Sequence, residues 1–186
     1  MVPEFKEFDK IPRLNREVVI TEKLDGTNAC VVVVEGSTFE ERQVFAQSRN
    51  RLITPEKDNY GFARWVQTNA ETLKQLGPGY HYGEWWGNGI QRGYGLSEKR
   101  FSLFNVHRWK DARPACCHVV PIFEYYNRLE EAHLAIETLK NNGSKAAPGF
   151  MDPEGIIVWH TAASQYFKVT VKNDESPKNK IVQGAS

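Results

Sequence analysis

The chain has 186 residues, 40% hydrophobic and 25% charged, with a formal net charge of +1. This length and composition predict one globular domain with a core of ordinary size, because the chain is too short for two domains that each have their own core. No long apolar run occurs, the N-terminus is unlike a signal peptide, and Cys30, Cys116 and Cys117 fit neither a disulfide framework nor a zinc site. We therefore expect a cytoplasmic protein without a membrane partner. The near-neutral charge neither favours nor excludes a local basic groove for nucleic acid.

The first part of the chain alternates between β-rich runs and turn residues. Three strands are predicted, over residues 17–22, 29–34 and 43–47. Residues 35–37 are typical of a hairpin turn between the second and third strands. A helix is predicted over residues 61–76, because apolar side chains recur there at a spacing of three to four and Gly77-Pro78-Gly79 ends the pattern.

The remainder of the chain is again rich in short strands. Five are predicted, over residues 80–85, 101–106, 118–123, 155–160 and 166–171. A second helix is predicted over residues 129–141, with Gly143 just past its end. Many strands with few helices and no regular βαβ rhythm predict an α+β domain with mainly antiparallel sheets. We expect a single domain over residues 1–186, with a mobile polar tail at 173–186.

The run Thr21-Glu22-Lys23-Leu24-Asp25-Gly26-Thr27-Asn28 is the most informative segment of the chain. It places an amine between two carboxylates at the end of a predicted strand, directly before a glycine that permits a tight turn. A lysine is a nucleophile only after its ammonium loses a proton, which adjacent carboxylates oppose and a nearby cation favours. Lys23 is therefore a candidate nucleophile, and Glu22 and Asp25 are better read as supports of the local geometry.

Five further runs follow the Lys23 segment in a fixed order, at residues 48–50, 81–87, 101–106, 153–158 and 167–172. With the Lys23 segment they resemble, in order, motifs I, Ia, III, IIIa, IV and V of the covalent nucleotidyltransferases, which comprise the polynucleotide ligases and the mRNA capping enzymes. The resemblance spans residues 20 to 172. Glu-Lys-x-Asp-Gly-Thr-Asn and Gly-Glu-Trp-Trp-Gly are most similar to the RNA ligase family of the phage T4 RNA ligase 2 group.

This resemblance implies the nucleotidyltransferase, or adenylation, fold, in which two antiparallel sheets enclose a nucleotide cleft. Ligases of this kind usually add a C-terminal domain after motif V, whereas about fourteen residues follow it here. We therefore expect a stand-alone nucleotidyltransferase domain without a C-terminal accessory domain. Whether an accessory protein supplies recognition of nucleic acid ends stays open.

The resemblance also implies roles for the lysines and for Glu22. Lys23 matches the nucleophile that attacks the α-phosphorus of ATP to give a lysyl-AMP adduct. Lys168 matches the motif V cation that neutralises the α-phosphate. Lys172 is assigned to the nucleotide site as the second motif V lysine, although a simple strand-end charge is the alternative. Glu22, beside the nucleophile, is assigned to the nucleotide site as well.

The remaining motif residues are expected to bind the nucleotide and a metal ion. Arg49 matches an arginine that contacts the sugar or phosphate, with Arg51 as the alternative if both share a strand face. Glu84 matches the motif III glutamate that binds the ribose or helps to hold metal. Phe104 matches the aromatic residue that stacks on adenine, with Phe101 as the alternative. Glu154 opens a buried strand and is expected to bind Mg²⁺ or Mn²⁺.

The function implied is an ATP-dependent polynucleotide ligase that seals 5′-phosphate to 3′-hydroxyl ends, as in nucleic acid repair. RNA is the favoured substrate, because the motifs are most similar to those of RNA ligases. Two alternatives remain: a DNA nick ligase, and a non-catalytic protein that keeps the fold and binds nucleic acid ends.

Overall fold

A computed structural model describes residues 2–175. Of the predicted mobile tail over 173–186, residues 176–186 lie outside the described residues. The strands are β1 Val18–Lys23, β2 Thr27–Val34, β3 Gln43–Ser48, β4 Leu52–Ile53, β5 Gly79–Gly87, β6 Lys99–Leu103, β7 His118–Val119, β8 Gly155–His160 and β9 Gln165–Thr170. The α-helices are α1 Phe62–Thr68, α2 Ala70–Leu73, α3 Val106–Trp109 and α4 Ala132–Asn142. None of these helices has the length and hydrophobicity needed to cross a bilayer.

The larger sheet has six strands in the order β4-β3-β2-β5-β6-β7. All neighbours are antiparallel except β6 and β7. One face is covered by α1 and α2, where Phe62 and Trp65 pack on Trp85 and Phe101. Because side chains alternate along a strand, the opposite face carries the residues on either side of Trp85, which are Glu84 and Trp86.

The smaller sheet has three antiparallel strands in the order β1-β8-β9. Helix α4 covers one face, where Ala135 and Leu139 pack with Ile20 and Ile156. A short turn, residues 24–26, leads from β1 into β2 and so joins the two sheets. Beside this turn Leu24 packs with buried residues of both halves of the chain, which ties the sheets together at that corner.

The predicted α+β class with mainly antiparallel sheets is confirmed, and the strand at 155–160 has the predicted bounds. The long helix predicted over 61–76 is interrupted at Asn69, whose side chain donates to the carbonyl of Trp65, and a 3₁₀ turn follows α2. This agrees with the tendency of asparagine to compete for backbone hydrogen bonds inside helices.

Two predicted strands are shorter than expected. The strand predicted to reach residue 106 ends at Leu103, because the Asn105 side chain accepts from the N–H of Arg108 and caps α3. The strand predicted over 118–123 is reduced to His118–Val119. Proline at 121 has no N–H to give to a ladder, and pairing resumes only as an isolated bridge between Ile122 and Thr21.

Candidate active site

Lys23 is the last residue of β1, and the pairing with β8 places it opposite Gly155. Its neighbour across the sheet is therefore the start of β8, where Glu154 precedes Gly155. Lys23 Nζ donates to Glu154 Oε2 at 2.6 Å, and the Glu154 side chain is almost completely buried. The structure thus brings together the predicted nucleophile and the predicted metal ligand, which lie 131 residues apart in the sequence.

Glu84 of β5 is the second buried carboxylate beside Lys23. Its Oε1 atom accepts the N–H of Gly26 at 3.1 Å. Burial raises the pKa of Glu84 to about 7, while the charge of Lys23 opposes the rise and the charge of Glu154 adds to it. Lys23, Glu84 and Glu154 therefore form one electrostatic group, here called the lysine cluster, in which two carboxylates face one ammonium.

Gly26 permits the close approach of the turn to β5. A Cβ atom at this position would lie 2.4 Å from the carbonyl oxygen of Trp85 and 2.7 Å from Cβ of Trp86. Both distances are shorter than real Cβ contacts, and one involves backbone that cannot swing aside. The tight turn predicted beside the site therefore requires glycine at position 26, since any side chain there would push Lys23 and Glu84 apart.

Arg92 fixes the turn over residues 24–26 through its contact with Asp25. Its Nε donates to Asp25 Oδ2 at 2.8 Å, and its Nη1 donates to the carbonyl of Asp152 at 2.8 Å and lies 3.0 Å from the Asp152 carboxylate. The Asp25 N–H also donates to the hydroxyl of Tyr94 at 2.8 Å. One guanidinium thus connects the segment after Lys23 to the segment before Glu154, and its partners raise the pKa of Arg92 against the effect of partial burial.

Lys172 lies just beyond β9 and joins this network. Its Nζ donates to Asp152 Oδ1 at 2.7 Å, which lowers the pKa of Asp152. Lys172 is therefore more than an isolated strand-end charge, because Asp152 links it to Arg92 and the turn after Lys23. Its assignment to the nucleotide stays a prediction.

Lys168 lies on the same face of the smaller sheet as Lys23. It pairs with Ile157 of β8, which pairs with Thr21 of β1. Paired residues share a face, as do residues two apart on one strand, so Lys168, Thr21 and Lys23 project to one side. Lys168 is solvent-exposed there, and its role toward the α-phosphate stays a prediction.

Glu22 projects to the opposite face of β1 from Lys23. Its carboxylate is buried and accepts three hydrogen bonds from the segment after α4: the Ser144 hydroxyl at 2.6 Å, the Lys145 N–H at 2.8 Å and the Ala146 N–H at 3.0 Å. Burial raises the pKa of Glu22, and the three donors lower it. In this geometry the Glu22 side chain holds the segment after α4, and its assignment to the nucleotide site stays a prediction.

Arg49 and Arg51 do not share a strand face as supposed. Both lie in the turn between β3 and β4, where the Ser48 N–H donates to the Arg51 carbonyl. Both side chains are exposed, but that of Arg51 donates to the carbonyl of Lys57. The structure therefore favours Arg49 of the two as the arginine that can reach a ligand.

Phe104 follows β6 and continues its ladder, since its N–H donates to the carbonyl of Tyr82. The ring is partly exposed on the face of the larger sheet that carries Glu84. Phe101, the alternative platform for adenine, is fully buried among Phe62, Trp65 and Trp85. The structure thus removes Phe101 as a candidate and leaves Phe104 in a position to stack.

The lysine cluster offers oxygen ligands suited to a magnesium or manganese ion. Mg²⁺ typically binds one or two carboxylates together with substrate phosphates and water, and Mn²⁺ accepts the same ligands. Within residues 2–175 no group of three or more His, Cys, Asp or Glu side chains could hold a metal ion by itself. Glu154, with Glu84 nearby, therefore fits an ion shared with a nucleotide rather than a pre-formed metal cage.

Solved structures of similar fold include several of Naegleria gruberi RNA ligase. A variant with ATP and Mn is 20% identical, with a TM-score of 0.57, over 86% of this chain and 51% of that one. A variant with AMP and Mn is 20% identical, with a TM-score of 0.56, over 84% and 50%. Another variant with ATP and Mn is 19% identical, with a TM-score of 0.53, over 83% and 49%. These similarities show that the chain has the fold of these RNA ligases over most of its length.

The family is defined by the sequence itself. A family model described as RNA ligase matches residues 16–173, and the chain belongs to the RNA ligase family. No curated protein matches the sequence. The chain spans about half the length of the solved ligases that it resembles.

Arg92, Tyr94 and Asp152 were not assigned to the site from the sequence. Arg92 lies outside the motif runs, and its partner Asp25 lies 67 residues away. The one local signal was the position of Asp152 immediately before Pro153 and Glu154. Pairing between such distant residues cannot be read from spacing.

Proposed function

We propose that this protein is an ATP-dependent RNA ligase that works through a lysyl-AMP adduct on Lys23. The observation that carries the proposal is the lysine cluster: a lysine amine held 2.6 Å from the buried carboxylate of Glu154, with Glu84 of the larger sheet beside it. Family membership supports the same reaction. ATP and a divalent metal ion, Mg²⁺ or Mn²⁺, are the proposed cofactors, since the Naegleria gruberi ligase structures carry ATP or AMP with Mn.

In the proposed first step, Lys23 Nζ forms a bond to the α-phosphorus of ATP. The bond from that phosphorus to the bridging oxygen breaks, and pyrophosphate leaves. The proton that Nζ must lose lies on its hydrogen bond to Glu154 Oε2, so this carboxylate is the nearest acceptor. Lys168, on the same face of the sheet, supplies positive charge toward the α-phosphate.

The other residues orient the nucleotide in this proposal. Glu84 accepts a hydrogen bond from the ribose, Phe104 stacks on adenine, and Arg49 contacts sugar or phosphate. A divalent metal ion bound at Glu154 would offset phosphate charge and orient the triphosphate. The two later steps, transfer of AMP to a 5′-phosphate and attack by a 3′-hydroxyl, require a nucleic acid end in the same cleft.

The residues of the lysine cluster address ATP, so they do not distinguish RNA from DNA ends, and a DNA nick ligase is the second candidate. A protein that binds ends without catalysis is the third. Single-domain organisation over residues 1–186, a cytoplasmic location and an accessory protein for end recognition remain predictions attached to this proposal.

The experiment that tests the first step is intact mass spectrometry after incubation with ATP and Mg²⁺. The wild-type protein should gain one AMP, about 329 Da, through an acid-labile phosphoramide, and Lys23→Ala should not. Lys140→Ala, which removes an exposed lysine on α4 paired with Glu137, is the matched control and should be labelled normally. Absence of an adduct with ATP, GTP or NAD would contradict the enzyme proposal and favour end binding.

The second arm uses nucleic acid. Adenylylated protein should join a 5′-phosphorylated RNA strand to a 3′-hydroxyl RNA end, and the same ends made of DNA should react more slowly. Faster joining of nicked DNA would replace RNA ligase with DNA nick ligase while leaving the Lys23 chemistry intact.

A further inference from the structure

A row of exposed aromatic rings extends away from Glu84 on the same face of the larger sheet. Tyr82 and Tyr80 are two and four residues before Glu84 on β5, and residues two apart share a face. Phe104 lies across from Tyr82, because the Phe104 N–H donates to the Tyr82 carbonyl. We call Phe104, Tyr82 and Tyr80 the aromatic row.

The two tyrosines of the row stack on each other although both are exposed to solvent. Tyr82 is 55% exposed and Tyr80 is 61% exposed, and their rings stack with centroids 6.2 Å apart and planes at 15°. Phe45 of β3, 41% exposed, aligns with Tyr80 through Val32 and broadens the patch. Exposed aromatic rings gathered on one sheet face are unusual for a surface that binds nothing.

The chemistry of the row fits nucleobases. An aromatic face stacks on the π-face of any base, and sheet surfaces with two or three exposed aromatic rings are a known way to bind single-stranded nucleic acid. The row is also continuous with the proposed nucleotide site, since Phe104 belongs to both. Arg49 stands exposed in the turn after β3, whose last residue Ser48 aligns with Gly83 through Ala29. It therefore offers a cation for phosphate at the level of Glu84.

We infer that Tyr82 and Tyr80 form a base-stacking subsite for the single-stranded end of an RNA substrate. The inference rests on the proposed function and extends it, because it assigns the strand-binding surface to this domain. A strand whose end reaches Lys23 lays its following bases along the row, and its phosphates run toward Arg49.

The test measures binding separately from adenylylation. Fluorescence anisotropy with a labelled, 5′-phosphorylated single-stranded RNA of about ten nucleotides would compare wild type with Tyr82→Ala, Tyr80→Ala and the double variant. Each single change should weaken binding about tenfold, and the double change more. Tyr82→Phe, which keeps the ring, should bind like wild type. Tyr125→Ala is the matched control, because Tyr125 is 92% exposed and lies outside the row.

Two further readouts decide what the row binds. Affinity for a long blunt RNA duplex should change little in the tyrosine variants, because bases inside a duplex already stack on one another and only the terminal pairs expose a face. Lysyl-AMP formation on Lys23, measured by mass, should also stay unchanged. If single-strand affinity in the double variant is within twofold of wild type, the inference is overturned.

Other outcomes would also overturn it. An equal loss of duplex affinity would indicate a general surface effect, a loss of adenylylation alone would assign the tyrosines to ATP, and loss of a wild-type dimer in ultracentrifugation would assign the row to a second copy of the chain. Failure of the wild-type protein to form lysyl-AMP contradicts the proposed function instead, and the binding measurements, made without ATP, still decide the subsite.

Discussion

The two faces of β1 use adjacent residues for opposite purposes. On one face the Glu22 carboxylate is buried and accepts three hydrogen bonds from residues after α4. On the other face Lys23 is partly open to solvent and meets the buried carboxylates of Glu154 and Glu84. A buried carboxylate with three donors stabilises the strand, whereas a partly open lysine beside two carboxylates forms a charged group that a ligand can reach.

The largest effect is expected on the reactive face. Glu154→Gln should slow lysyl-AMP formation about a thousandfold, roughly 4 kcal/mol of barrier, because the nearest proton acceptor and a metal-binding oxygen are both lost. The free energy of unfolding should change by less than about 1 kcal/mol, since glutamine still accepts a hydrogen bond from Lys23. Rapid-quench assays and urea unfolding check the two numbers.

The control for that prediction is Glu130→Gln, an exposed glutamate near α4. If Glu154→Gln loses activity only in proportion to its unfolded fraction, the contrast between the two faces fails.

The second prediction concerns Glu22, where we expect a loss of stability with little change in the adenylylation rate. Glu22→Ala should lower the free energy of unfolding by about 3 kcal/mol, because three donors of the segment after α4 lose their acceptor. The rate of adenylylation per folded molecule should stay within a few fold of wild type. Ser144→Ala, which removes one of the donors, should cost about 1 kcal/mol. A Glu22→Ala protein that is stable yet inactive would show that Glu22 binds the nucleotide after all.

Arg92 connects the reactive face to the rest of the site, and its effect should be intermediate. Arg92→Ala should lower the adenylylation rate constant about tenfold to a hundredfold, because Asp25 and Asp152 lose their common partner and Lys23 and Glu154 are less well aligned. Arg92→Lys should recover only part of the rate, since an ammonium lacks the planar fork. Single-turnover rates at saturating ATP separate this positioning role from ATP binding, and an effect confined to KM would argue against it.

The smallest effect extends the comparison to the two faces of β5. His81 lies on its buried face, and its neighbours Tyr80 and Tyr82 lie on the exposed face. Burial lowers the pKa of His81, whose Nε2 donates to the Gly77 carbonyl. The unfolded chain therefore takes up the proton first, and stability falls as pH drops below about 6.5, by at most about 1.4 kcal/mol at pH 5.5. His81→Gln should flatten this part of the stability profile, and urea midpoints at pH 7.5 and 5.5 measure it. An unchanged slope would mean that other groups cause the acid sensitivity.

Much of the reactive face could be predicted from the sequence because its residues lie in short, ordered runs. Lys23, Glu84 and Glu154 each lie in such a run, and the structure places all three in one cluster. The role of Glu22 was harder to predict, although alternation along a strand already places neighbours on opposite faces. Its partner Ser144 lies 122 residues away, and no periodicity encodes a hydrogen bond across that distance.

The predicted elements failed where one polar side chain or proline decided the local backbone. Asn69 interrupts the first helix, Asn105 turns the end of β6 into the start of α3, and Pro121 limits β7. Hydrophobic periodicity does not predict where these elements end, because each end depends on one hydrogen bond that is made or missing.

The order of strands in the two sheets has a consequence for synthesis on the ribosome. The larger sheet uses the consecutive strands β2 to β7, whereas the smaller sheet joins the first strand to the last two. A nascent chain can therefore assemble the larger sheet while β1 still lacks β8, its only strand partner in the sheets that residues 2–175 form. Lys23 is made before β8 but can be seated only after β8 has emerged, so the growing polypeptide carries no assembled nucleophile until then.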